Sequence, residues 1–212
     1  MSTNRALRLG VLGGTFDPIH HGHLVAAQEA FYQLELDQVL FVPAGMPPHK
    51  PVQPLATARH RLQMVELAIA GRPGFDLSRV DVERPGPHYS ADMLQLLKDE
   101  WGSDTTLFFI EGADSLVDIL DWHEPQRIVE LAEFAVVNRP GVELDVDRLE
   151  QHLPGLRARL HRVDMPLLEI SSTDLRRRVR EGRPLTYLLP DTVLAYILEH
   201  ELYLEEYTFE SD

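Results

Sequence analysis

Short apolar runs alternate with helix-length stretches along the whole of this 212-residue chain. Residues 7–12, 38–42, 75–82, 106–110, 134–137 and 160–163 have the length and composition of strands. Between them lie residues 22–34, 56–70, 90–101, 126–131 and 145–152, which have helical character. In 56–70 the apolar residues Leu62, Val65, Leu67 and Ile69 carry the helical spacing, and Ser90 is placed as the N-cap of 90–101. Strands separated by helices pair in parallel through crossovers, because a tight hairpin is not available to them. The expected fold is therefore α/β, a doubly wound and mainly parallel sheet, with ligands at the carboxyl ends of the strands.

Two further helices, 172–181 and 191–199, follow the last strand, separated by Gly182 and Pro184, and 205–212 reads as a frayed tail. With 44% apolar residues and no repeat or Gly/Ser linker, one domain is expected over 1–212. Its α/β core would span about 7–165 and its helical C-terminal portion about 170–204.

Several function classes lose support at this level. The net charge of −14 disfavours extended contact with a nucleic-acid backbone, which needs many cationic groups, but leaves a local anion pocket open. No apolar stretch approaches a membrane span and the N-terminus lacks the apolar core of a secretory signal, so a cytoplasmic protein without membrane attachment is expected. The absence of cysteine removes disulfides, thiolate zinc sites and thiol nucleophiles. Self-association is left open.

The first strand runs into Gly13-Gly14-Thr15-Phe16-Asp17-Pro18, where glycines let backbone amides approach an anion. His20, Gly22 and His23 follow where this loop becomes a helix, whose exposed amides and dipole also favour anions. Taken alone, the glycines suit a plain tight turn and each histidine a helix-start residue. Neither Gly-x-x-x-x-Gly-Lys-Ser/Thr nor Gly-x-Gly-x-x-Gly is present at this turn. A second cluster, Ser171-Ser172-Thr173, precedes a helix with Arg176 one turn inside it; the hydroxyls serve equally as caps or as phosphate donors. A proline-rich stretch, residues 43–50, ends in His49 and Lys50.

GGTFDPIHHGH resembles the first signature of the HxGH nucleotidyltransferases, in the spelling of their bacterial nicotinate-nucleotide adenylyltransferase branch. ISSTDLRRR, residues 170–178, is similar to the second, ISSTxIR, with Leu175 in place of isoleucine, and residues 43–50 resemble the PxxxPPHK element. Residues 88–92, 110–115 and 120–123 resemble further segments of that branch, so the likeness runs from Gly13 to Arg178. Ser90 and Met93 stand where threonine is common.

The resemblance implies a Rossmann-like nucleotidyltransferase fold and adenylyl transfer from ATP to nicotinate mononucleotide, giving the deamido dinucleotide and pyrophosphate. It implies catalytic roles for His20, His23, Lys50 and Arg176, and ATP or phosphate binding by Gly13, Gly14, Thr15, Phe16, Gly22, Ser171, Ser172 and Thr173. The acceptor would be held by Tyr89, Ser90, Gly112, Asp114, Trp122 and His123, with Trp122 offering a face to the pyridine ring. Read from residue chemistry alone, Trp122 suits a core position as well, and Asp114 suits the cap of the next helix. Mg²⁺ is expected to arrive bound to the triphosphate, with no protein ligand of its own. The competing classes are a nucleotide sensor with the same pocket and a zinc hydrolase, the latter without a His-Glu-x-x-His partner set.

Overall fold

The computed structural model describes residues 5–45, 56–138 and 144–204. Six strands, β1 (Arg8–Gly14), β2 (Gln38–Pro43), β3 (Phe75–Leu77), β4 (Thr106–Gly112), β5 (Ala132–Val137) and β6 (Leu160–Val163), form one sheet in the order β3-β2-β1-β4-β5-β6. Every pairing is parallel. Helices α1 (His21–Gln33) and α2 (Ala58–Ile69) follow β1 and β2; α3 (Ser90–Trp101) crosses to β4; α4 (Ala113–Val117) and α5 (Pro125–Leu131) lead to β5; α6 (Val146–His152) leads to β6. The chain closes with α7 (Ser172–Arg180) and α8 (Asp191–Glu199).

The strands are apolar on both faces because both faces are covered. In β4, Leu107 and Phe109 enter one core with Leu94, Leu97, Ile128 and Phe134, while Phe108 and Ile110 enter the other with Ala27, Ala30, Met64 and Val65. Leu175 of α7 and Val193 and Ile197 of α8 are buried in the second of these, so the C-terminal helices share a core with strand residues. This is the doubly wound arrangement that the alternation predicts.

The strand order reverses direction between β1 and β4. Their carboxyl ends, Gly13-Gly14 and Gly112, therefore face a crevice between diverging connections, where ligands bind in such sheets.

Three details differ from expectation. β3 ends at Leu77 instead of Val82: after Ser78 N–H donates to Phe41 O, the chain turns, with Val82 and Glu83 amides both donating to Arg79 O. Tyr89, not Ser90, is the N-cap of α3, since its backbone is extended and its carbonyl accepts from Met93 N–H. A short helix, α4, and a 3₁₀ turn over Ile119–Asp121 precede Trp122, in a stretch too short for helical periodicity to reveal. No helix among the described residues is long and apolar enough to cross a membrane.

Candidate active site

The turn after β1 is held from below. Phe16 adopts a left-handed backbone conformation (φ 50°), and its ring is buried, 1% exposed, between Phe41 and His23. Burying such a ring contributes about 1.5 to 3 kcal/mol, enough to anchor a glycine-rich turn. The Asp17-Pro18 peptide bond is cis.

His20, 5% exposed, is the N-cap of α1, and its ring stacks on that of His23 with centroids 3.8 Å apart. The His20 amide donates to His23 Nδ1 at 3.2 Å, while the His23 amide donates back to His20 O. Accepting at Nδ1 makes Nε2 the protonated nitrogen of the neutral His23 ring, so that nitrogen is a donor. Gly22 leaves room for this stack: a Cβ there would lie 3.0 Å from the His20 ring, which would have to give way by a few tenths of an ångström. Spacing alone presented two histidines flanking a glycine; the fold stacks them into one unit.

The start of α7 packs onto this turn across more than 150 residues of sequence. Ser172 Oγ donates to Pro18 O at 2.9 Å, and Arg176 Nη1 donates to Asp17 O at 2.8 Å while Nη2 reaches Thr173 Oγ1 at 3.3 Å. Ser171 Oγ accepts from Asp174 N–H, which makes it the cap of α7. Arg177 and Arg178 both pair with Asp174, whose carboxyl is held below its usual range first by Arg178 and then by Arg177. Arg176 is thus directed toward the β1 turn while its two neighbours close on Asp174. Lys50 and His49 lie outside the described residues.

Of the expected acceptor residues, the fold visibly pairs two. Tyr89 and His123 stack with centroids 3.9 Å apart. Trp122 is half-buried and edge-on to Phe109 at 6.2 Å. Gly112 is the N-cap of α4 and Asp114 lies exposed in its first turn, so Asp114 is not the cap. Met93, on the helix that Ser90 begins, is a core residue beneath Gly13, which accounts for an apolar side chain there. The segment 84–89 is framed by Arg84, whose Nε and Nη2 bind Asp81 Oδ1 at 2.9 and 2.6 Å and whose other bonds reach Pro87 O and Tyr89 O. Arg127 joins Asp92 of α3 to Glu124 beside His123, and these hydrogen bonds, Glu124 first, raise its pKa.

Residues that sequence reasoning missed lie beneath the turn. Arg61 is 1% exposed and donates to backbone carbonyls of Thr15, Ala44, Gly45 and Ala56. Burial pulls its pKa down, opposed by Asp17 and Tyr203. Asp17 is itself buried, and its Oδ1 accepts from Tyr203 Oη at 2.7 Å and from Ala56 N–H at 3.3 Å. The one signal in the sequence was a charged residue on the apolar face that Leu62, Met64 and Val65 define.

A paired set of histidines at a helix start, a second helix start bringing hydroxyls and Arg176, and glycine strand ends between them form a crevice in a parallel α/β sheet whose donors are of the kind that suit anions. The sequence model of the cytidylyltransferase-like family matches residues 11–178, which span that crevice, and the chain belongs to this family. Its relatives are more specific. A protein of Thermomicrobium roseum is 50% identical over 196 residues, 92% of this chain and 91% of its own length; one of Roseiflexus sp. is 49% identical over 195 residues, 92% and 97% respectively. Both carry the curated name probable nicotinate-nucleotide adenylyltransferase, and among the nucleotidyltransferases it is with these enzymes that the chain groups. A solved Plasmodium falciparum nicotinic acid mononucleotide adenylyltransferase in complex with NaAD superposes with a TM-score of 0.74 at 20% identity, over 93% of this chain and 97% of that one, sharing the fold.

Proposed function

We propose that this enzyme transfers the adenylyl group of ATP to nicotinate mononucleotide, releasing pyrophosphate and forming nicotinate adenine dinucleotide for NAD biosynthesis in the cytoplasm. The observation that carries the proposal is the docking of the α7 start onto the HxGH turn through Ser172–Pro18 and Arg176–Asp17.

The reaction is an in-line attack of the mononucleotide's phosphate oxygen on the α-phosphorus of ATP, without a covalent enzyme intermediate. A phosphate monoester has its second pKa near 6 and is mostly deprotonated at neutral pH, so a strong general base is unnecessary. Positioning and charge stabilisation then dominate. His23, through Nε2–H, and His20 serve the α- and β-phosphates; Lys50 and Arg176 serve the polyphosphate. Ser172 and Thr173, together with the backbone at Gly13, Gly14, Thr15, Phe16, Gly22 and Ser171, surround the phosphates.

Trp122 supplies an aromatic face to the pyridine, and Tyr89, Ser90, Gly112, Asp114 and His123 frame the acceptor. The groups on the ATP side are imidazoles, guanidinium and helix-start amides, while the Asp17 carboxylate is engaged by Tyr203 and Ala56. Such a donor set suits an anion, so Mg²⁺ fits as an ion carried on the triphosphate through its oxygens and water. When bound, it neutralises phosphate charge and orients the leaving group.

Purified protein given ATP with nicotinate mononucleotide, nicotinamide mononucleotide, phosphopantetheine or a choline-phosphate analogue, with pyrophosphate as readout, tests the assignment. The nicotinate substrate is expected to be fastest; faster turnover on phosphopantetheine would overturn the acceptor, and binding without turnover would favour a sensor.

A further inference from the structure

We infer that Arg61 is a positioning residue for adenylyl transfer, its buried guanidinium tying the loop after β1 to the loop after β2 and thereby setting the spacing across the phosphate crevice. The inference rests on the reading of that crevice given above.

Arg61 sits on the buried face of α2, where the neighbouring inward positions are Leu62, Met64 and Val65. A guanidinium there carries a desolvation cost that an apolar side chain of similar size would avoid, so packing alone does not account for it. Its partners are informative. Nη1 donates to Thr15 O at 2.8 Å and to Ala44 O at 2.7 Å; Nη2 donates to Gly45 O at 3.0 Å; Nε donates to Ala56 O at 3.3 Å. All four are backbone carbonyls, drawn from the turn after β1, the turn after β2 and the entry to α2. The fork-shaped donor thus fixes main-chain positions at four separated oxygens, one more than the three N–H groups of a lysine ammonium could serve.

The charge is balanced from within. Asp17, 4% exposed, lies close enough to oppose the loss of the Arg61 charge, and Tyr203, 7% exposed, donates its hydroxyl to Asp17 Oδ1 at 2.7 Å. Tyr203 comes from the stretch after α8, so the C-terminal segment closes the strut from below.

Both tethered loops bear on the chemistry. The turn after β1 carries Thr15 and Phe16 and runs into His20 and His23, and Ala44 N–H also donates to Gly14 O at 2.8 Å. On its other side Gly45 abuts His88, next to the Tyr89 segment. A change in Arg61 therefore shifts the ATP side against the acceptor side without touching either substrate. Misplacing reacting groups by about 1 Å from such a distance lowers rates by about 100-fold.

The test compares wild-type protein with Arg61→Lys and Tyr203→Phe by steady-state kinetics, thermal denaturation and amide exchange. Arg61→Lys is expected to lower kcat roughly 100-fold while both KM values change by less than about threefold. Exchange should quicken at residues 14–17 and 44–45 while β4 and β5 keep their protection. Tyr203→Phe preserves the ring packing and keeps the proposal testable if the lysine variant does not fold; it is expected to lower kcat by roughly 3- to 10-fold with the same exchange pattern. A merely structural role predicts loss of folded protein with unchanged kcat per folded molecule and exchange rising across the whole sheet, and either result overturns the inference. If wild-type protein does not turn over ATP and nicotinate mononucleotide, the functional reading fails. Exchange confined to the two loops then still supports the strut, and unchanged loop exchange defeats it.

Discussion

Gly45→Ala is the most discriminating single substitution at the boundary between the two halves of the crevice. A Cβ at this position would stand 2.5 Å from His88 Nε2, 2.7 Å from His88 Cε1 and 2.8 Å from Asp81 O. None of these atoms is easily displaced. His88 Nε2 is within hydrogen-bond distance of Arg84 O at 3.0 Å, and buried Asp81 is paired to Arg84. The carbonyl of Gly45 itself is gripped by Arg61. Overpacking of this kind costs about 1 to 3 kcal/mol. At about 2 to 4 °C per kcal/mol for a chain of this size, Tm should fall by about 2 to 12 °C. Because the Gly45 side is held by Arg61, the segment bearing His88 and Tyr89 should yield, so KM for nicotinate mononucleotide rises while KM for ATP changes less. Gly71→Ala is the control: its φ is +73° with open space around the Cβ position, so it costs backbone strain of about 1 to 2 kcal/mol without moving the site. Calorimetry and initial-rate kinetics on both variants decide the matter. Equal Tm losses with no change in either KM for Gly45→Ala would refute the reasoning, since the clash would then be absorbed without displacing the acceptor segment.

Other expectations are more local. His23→Ala should lower kcat by roughly 100- to 1,000-fold through loss of one donor, and a stopped assay of pyrophosphate release with kcat near wild type would contradict the role of Nε2–H. Ser171→Ala removes the cap of α7 and should cost about 1 kcal/mol, read as a small Tm loss in denaturation scans. His60, within 2.9 Å of Tyr196 Oη, has its pKa lowered by burial first and then by His200 and Arg59. Its folded value lies below the ordinary one near 6.5, so the stability it contributes is complete above about pH 6.5 and is lost as pH falls through the lowered value. His60→Gln should accordingly flatten the Tm profile on the acid side, and parallel profiles for variant and wild type would refute this.

The fold was legible wherever period and punctuation agree. Alternating strand-length runs and amphipathic helices indicated the doubly wound sheet, because parallel strands buried on both faces are apolar throughout and need crossovers. Boundaries failed where tertiary contacts decide them: residues 78–82 have strand-like composition, yet the turn at Arg79 and the Asp81–Arg84 pair remove them from the sheet. Ser90 looked like a cap from its side chain, whereas the extended backbone of Tyr89 fills that position.

Within the site, the sequence by itself determined the chemical inventory: glycines at a strand end, His20 and His23 at one helix start, serines and Arg176 at another. These are local patterns, set by what a turn or a helix terminus requires, and so they survive in linear order. Tertiary structure alone decided that Ser172 and Arg176 bind the backbone of the HxGH turn, that His20 stacks on His23, and that Arg61, Asp17 and Tyr203 form one buried unit beneath them. The physical reason is separation. Asp17 and Tyr203 are 186 residues apart, and a hydrogen bond between groups so distant leaves no periodicity, only a tyrosine and an aspartate that each look ordinary where they stand.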